Sequence, residues 1–172
     1  MIPSKHALRY SFIAGLAFAI GAGSLHAQIR RQPTQAQSAP ADIALQVGTK
    51  KYEFSGQGEC KAAAQASLYG INAALYMVEH RAGGRSLKLT LWQPKNGSAE
   101  MMRLDVSEGS SRYEVDTVKA GGKRDAKGSG KTTLQKSGAG GVFTIGAVAA
   151  SGEKITGTIK CGRFAAIHAE GG

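Results

Sequence analysis

The chain has 172 residues, 42% hydrophobic and 20% charged, with 22 Lys and Arg against 12 Asp and Glu for a formal net charge of +10. A chain of this size builds a core without dense cross-linking, and its charge favours anionic partners. After the N-terminal segment, no stretch approaches the roughly 18 apolar residues of a membrane span, so no transmembrane segment is expected.

In chain order, Lys5 and Arg9 precede the uncharged apolar run Phe12 to Ala22, and Leu25-His26-Ala27 ends in a small residue suited to cleavage. Residues 1–27 therefore read as a secretory signal peptide, which predicts a periplasmic or extracellular protein. No Cys lies at the cleavage point, so a lipid-modified N-terminus is not expected. Processing removes two basic residues and no acid, leaving 20 basic against 12 acidic. The polar stretch after Ala27, rich in Gln, Pro, Ser and Ala, buries little, and residues 28–47 are assigned to a flexible tether. One β domain over residues 48–164 and a flexible tail over 165–172 complete the expected organisation.

The two cysteines, Cys60 and Cys161, stand near the two ends of that domain. Tyr52 and Phe54 share the parity of Cys60, and Ile155 and Ile159 that of Cys161, which places both sulfurs on core faces if the segments are strands. In an oxidising compartment they are expected to pair. A reactive or metal-binding thiol pair is the competing reading, but no CxxC partner or nearby His completes a ligand set.

Alternation recurs along the rest of the chain. Leu87, Leu89 and Leu91 line one face of SLKLTLW, and Met102, Leu104 and Val106 one face of MMRLDV. RYEVDTV sets Tyr113, Val115 and Thr117 against Arg112, Glu114 and Asp116, while VFTIGAV and KITGTIKC repeat the pattern. These are half-buried strands. Gly83-Gly84, Asn96-Gly97, Gly109-Ser110, Gly138 to Gly141 and Ser151-Gly152 supply turns between them. The expected fold is mainly β: an antiparallel β-sandwich or partly open barrel with one disulfide and room for one short helix. Lys61 to His80 fits both periods. It is read as an irregular or short helical piece near Ala62 to Ala66, then a strand over Ala73 to Arg81, with Gly70 weakening a continuous helix.

Functional motifs are few. GSGKTT at Gly128 to Thr133 imitates the end of a phosphate loop, yet the required first glycine falls on Asp125, so a turn entering a strand over Thr132 to Gln135 is the simpler account. Lys119, Lys123, Arg124, Lys127, Lys131 and Lys136 share one Gly-rich segment with a single acid, Asp125. They are the candidate anion-binding residues; a solvated hairpin kept soluble by lysines is the plainer alternative. Without aromatics among these charges, no specific nucleic acid is expected. Glu114 and Asp116 share a strand face about 7 Å apart and can act as an acid/base pair or form the wet side of a sheet facing Arg103 or Arg112. His80 and His168 are the histidines after residue 27. No HExxH, nucleophile elbow or DxDxDG element is present, so no cofactor or metal is expected and no catalytic residue is assigned. Trp92, Tyr69 and Tyr76 can stack on a sugar ring or anchor a partner, or be buried under loops. Asn96-Gly97-Ser98 matches a glycosylation acceptor, though hairpin geometry accounts for it.

Cys60 after an opening strand, Gly128-Ser129-Gly130 in a Gly-rich middle, and Ile155-Thr156-Gly157-Thr158 running into Cys161 resemble the small exported β domains of the mycobacterial 19 kDa lipoprotein antigen type. The resemblance spans residues 56–161 and implies a cell-envelope surface or adhesion component rather than an enzyme; membrane anchoring does not carry over without the lipidated Cys. Three readings stand. The leading one is an exported, non-enzymatic protein binding an anionic lipid, glycan or envelope protein. The others are a small secreted enzyme using carboxylates on a strand face, and a purely structural accessory subunit. No motif specifies the oligomeric state.

Overall fold

Eleven strands follow one another in the computed structural model, which describes residues 40–56, 58–119 and 126–167. They are β1 (Ala41–Val47), β2 (Lys50–Phe54), β3 (Glu59–Leu68), β4 (Ile71–Ala82), β5 (Arg85–Pro94), β6 (Met101–Glu108), β7 (Ser111–Asp116), β8 (Ser129–Ser137), β9 (Gly140–Val148), β10 (Lys154–Cys161) and β11 (Ala165–Ala166). One sheet has the order β2-β1-β10-β9-β8 and the other β11-β3-β4-β5-β6-β7. All pairings are antiparallel except β11 on β3. The two sheets are packed together and neither closes on itself, so the architecture is a β-sandwich rather than a barrel.

The alternation read from sequence is the alternation of burial. Leu87, Leu89 and Leu91 of β5 meet Met102, Leu104 and Val106 of β6 on the inner face. From the opposite sheet, Leu45, Tyr52, Phe143, Ile155 and Ile159 close the core. Each large apolar side chain buried in this way contributes roughly 1.5–3 kcal/mol relative to its exposed state. Tyr76 and Phe143 meet edge to face across the layers at 6.5 Å between ring centroids.

Three expectations are corrected. Residues 41–47, assigned to the tether, form β1, whose Ala41, Ile43, Leu45 and Val47 are buried between exposed Asp42, Ala44 and Gln46. The polar tract before this segment hid a regular two-residue period. The helical piece near Ala62 to Ala66 is instead the middle of β3, and no helix occurs among the described residues. A register shift between Ala63 and Ala66 marks a bulge that breaks the alternation there. Gly70 belongs to the following two-residue hairpin turn, with φ of 50° at Tyr69 and 82° at Gly70, the paired positive values of a type I′ connection. The third correction lies at the C-terminal end, where Ala165 and Ala166, assigned to the tail, pair in parallel with Lys61 and Ala62.

Cys60 of β3 and Cys161 of β10 form a disulfide with their Cα atoms 6.0 Å apart, joining one sheet to the other. At one edge of the sandwich a second, polar connection links Lys50 and Tyr52 of β2 to Arg85 and Glu108 of the opposite sheet. Arg85 Nε lies 2.6 Å from Glu108 Oε1, and the Tyr52 hydroxyl donates to Glu108 Oε2 at 3.4 Å. Burial opposes ionisation of Glu108, but Arg85 and Lys50 outweigh it and hold the carboxyl below its ordinary range. Burial first, then the Glu108 carboxylate, pushes the Tyr52 phenol up to about 12.

Two predictions follow from these cross-sheet ties. Replacing Cys60 and Cys161 with Ala is expected to cost about 4–5 kcal/mol in urea unfolding, the chain-entropy value for a closed loop of this length, and thiol titration of the denatured, unreduced protein should find no free thiol. Tyr52 has a folded pKa above its unfolded value of 10.0, so its contribution to stability is complete below pH 10 and is lost as pH rises through about 12. Alkaline difference absorbance should show a phenol ionising near pH 12 that Tyr52→Phe removes; an unchanged titration would contradict the assignment.

Candidate functional site

The outer face of the six-stranded sheet carries the most developed polar geometry among the described residues. Inner and outer side chains alternate, so in-register strands line up their outer residues in rows. One row is Arg81 (β4), Ser86 (β5), Ser107 (β6) and Arg112 (β7), brought together by the pairings Arg81↔Ser86, Ser86↔Ser107 and Ser107↔Arg112. The Ser86 and Ser107 hydroxyl oxygens lie 2.7 Å apart. One of their two protons bridges them, and the other is free for an acceptor above the sheet. The next row is Glu59, Glu79, Lys88, Asp105 and Glu114. All of these residues except Glu114 line an open groove of about 780 Å³.

Charge on this face is almost fully matched. Lys88 Nζ lies 2.7 Å from Glu79, Arg112 donates from Nε and Nη2 to Asp105 Oδ1 at 2.9 and 2.7 Å, and Lys61 pairs with Glu59. Arg103 donates twice to Asp116 Oδ2, and Lys127 Nζ reaches Glu114 at 3.0 Å. The Lys88 hydrogen bond holds the Glu79 carboxyl below its ordinary value against the opposing effect of burial. Its hydrogen bond to Asp105 raises the Arg112 guanidinium further above its already high value. Arg81, exposed, is the one cation of this face without a carboxylate partner among the described residues.

The basic segment is distributed differently. Lys119 is exposed just beyond β7, and Lys123 and Arg124 lie outside the described residues. Lys127 bridges to Asp116 through its backbone and spends its ammonium on Glu114. Lys131 and Lys136, five positions apart on β8, point to opposite faces; Lys136 turns inward, its ammonium 5.0 Å from the centre of the Tyr76 ring. The described cations of this segment do not converge. GSGKTT is the start of β8: a Cβ on Gly130 would stand 2.5 Å from Ala147 Cα, so that glycine permits the close approach of β8 to β9, and Thr132 is buried with its hydroxyl 2.8 Å from Met102 Sδ.

Glu114 and Asp116 do share the outer face, but both are occupied. Asp116 also accepts from the Val118 amide at 3.0 Å, making it a structural anchor of the β7 end. His80 is buried, its ring 4.1 Å from that of Phe54 on the inner side, and His168 lies outside the described residues. Among the described residues no cluster of three or more His, Cys, Asp or Glu side chains could hold a metal ion. Trp92 is half-buried on the outer face between Leu75 and Met101, outside the core, whereas Tyr76 is a core residue and Tyr69 is exposed at the β3–β4 turn.

The Arg81–Ser86–Ser107–Arg112 row was missed from sequence. Its signal was there in outline, since Ser86 and Arg112 sit on the polar sides of two recognised strands, but their adjacency depends on register across four strands. Comparison with protein-family models, with curated proteins and with solved structures gives no match.

Asp116→Ala is expected to destabilise the fold by about 1.5–3 kcal/mol, the cost of removing charge-assisted hydrogen bonds that leave Arg103 unmatched. Urea denaturation measures this; a midpoint equal to that of the native chain would show that the Arg103–Asp116 pair does not anchor β7.

Proposed function

We propose that this chain is an exported, non-enzymatic β-sandwich that binds an anionic component of the cell envelope, and that it does so at the Arg81–Ser86–Ser107–Arg112 row. The observation that carries the reading is the combination of an unmatched guanidinium, an available hydroxyl proton and a second guanidinium held in place by Asp105. Guanidinium groups and hydroxyls are donors to carboxylate and phosphate oxygens, and charge-assisted bonds of this kind are about twice as strong as neutral ones. The disulfide suits an oxidising compartment, and no described helix is long and apolar enough to cross a membrane. Residues 1–27 support export by their composition. The resemblance to exported envelope β domains points the same way. A contribution from Lys119, Lys123, Arg124, Lys131 and Lys136 is electrostatic and diffuse by comparison, since the described members of that segment are dispersed.

Retention of the chain from Gln28 onward on anionic lipid vesicles, lipopolysaccharide and peptidoglycan, over a salt series, tests this. Binding should weaken with salt as the Debye length falls from about 10 Å at 0.1 M to about 3 Å at 1 M. Arg81→Ala with Arg112→Ala should reduce retention at least about tenfold, equivalent to roughly 1.4 kcal/mol, with unfolding little changed because surface pairs contribute little stability. The Lys123, Arg124, Lys127 and Lys131 to Ser variant should retain most binding. The reverse ranking would move the site to the basic segment, and no retention on any surface would reject the binding function.

A further inference from the structure

The same outer face continues beyond the arginine row, and its far end is chemically different. Along β5, Ser86, Lys88, Thr90 and Trp92 occupy the outer side in succession, Thr90 buried among its neighbours, so the Ser86 row and Trp92 stand about 20 Å apart by six strand rises. The terminal row is Ala63, Leu75, Trp92 and Met101, with Met77 in the row before it. The indole is thus set between two apolar side chains on a rigid strand, half-buried yet outside the core. Between the two ends, Lys88 is paired with Glu79 and Arg103 with Asp116, so the carboxylates along this path are matched by cations. A negatively charged chain lying along β5 meets no unmatched carboxylate, and it meets the unmatched Arg81 at one end.

We propose that this face binds an extended acidic polysaccharide running along β5, with a carboxylate held by the Arg81–Ser86–Ser107–Arg112 row and a sugar ring stacked on Trp92. The inference rests on the anion-binding reading and adds the ligand class and its direction. An apolar indole surface suits the CH-rich face of a sugar, as aromatic side chains with one apolar face and a polar edge do at wet interfaces. The paired Glu79 and Asp105 carboxylates retain acceptor lone pairs for sugar hydroxyls along the way. A free phosphate or single acidic sugar can engage only one end of such a surface; a chain of several sugars engages both, and the second contact becomes intramolecular.

Trp92 is the only tryptophan of the chain, so its emission reports on this end of the face alone. The chain from Gln28 onward is titrated with inorganic phosphate, with galacturonate oligomers from disaccharide to octasaccharide, and with neutral cello-oligosaccharides of the same lengths. Phosphate and the acidic disaccharide should bind weakly without altering Trp92 emission. The longest acidic oligomers should bind at least about tenfold more tightly and shift the emission, and the neutral series should do neither. Trp92→Ala, with folding checked by circular dichroism, should abolish the gain with length while phosphate binding persists. Equal affinity for short and long acidic oligomers, or an emission that never changes, overturns the polysaccharide inference but leaves the anion site standing. Failure of phosphate and every acidic oligomer to bind overturns both.

Discussion

The bond between Cys60 and Cys161 is the constraint on which the remaining geometry depends. The sandwich has two open sheets, no described helix and no barrel closure, so apolar burial and this covalent tie hold the layers face to face. By linking β3 to β10 across 101 positions of sequence, it restricts the unfolded chain more than a short loop would. It also selects the inner face of β3, and β4 to β7 inherit the choice through an unbroken series of antiparallel pairings. A one-residue slip in any of them would exchange the buried leucines for the charged outer rows.

That inheritance explains why the outer face is orderly. Its carboxylates are each met by a cation: from a neighbouring strand for Glu79, Asp105 and Asp116, from Lys61 of the same strand for Glu59, and from Lys127 beyond the sheet for Glu114. Such exposed pairs add little stability, because solvent screens them and ordering long side chains costs entropy. Their effect here is on surface chemistry, since they remove local repulsion for a ligand of either sign and make the unmatched Arg81 distinctive. The strongly basic composition therefore does not by itself locate an anion site. Several cations of the basic segment are committed elsewhere or diverge in direction, while the proposed site holds only two arginines.

The connection at the opposite edge works on different terms. Glu108 gathers Arg85, Lys50 and the Tyr52 hydroxyl between the two sheets, and Arg85 lies over the rings of Tyr52 and Phe54 at 5.9 and 5.8 Å. Lys50 and Arg85 stay substantially exposed here, so solvent screens these contacts as it does those on the outer face, and what sets them apart is that they join the two sheets. The sandwich is thus tied by a disulfide, by its apolar interior and by a polar cluster at one edge.

What the sequence determined by itself was local. Period-two alternation marked β5, β6, β7, β9 and β10, glycines marked the hairpin turns, and the shared parity of Tyr52, Phe54, Ile155 and Ile159 with the cysteines marked the disulfide. Each of these signals arises from backbone geometry within a few residues. Local pattern misled where a second influence was superposed: the Ala-rich stretch of β3 carries a bulge that disrupts its period, and the alternation of β1 follows directly on a polar tract. Tertiary structure alone decided which outer residues are neighbours. Arg81, Ser86, Ser107 and Arg112 span 31 positions of chain but become one row through three successive registers, and Lys127 is drawn to Glu114 from beyond the sheet. Cross-strand adjacency is a sum of pairings, and no single segment contains it.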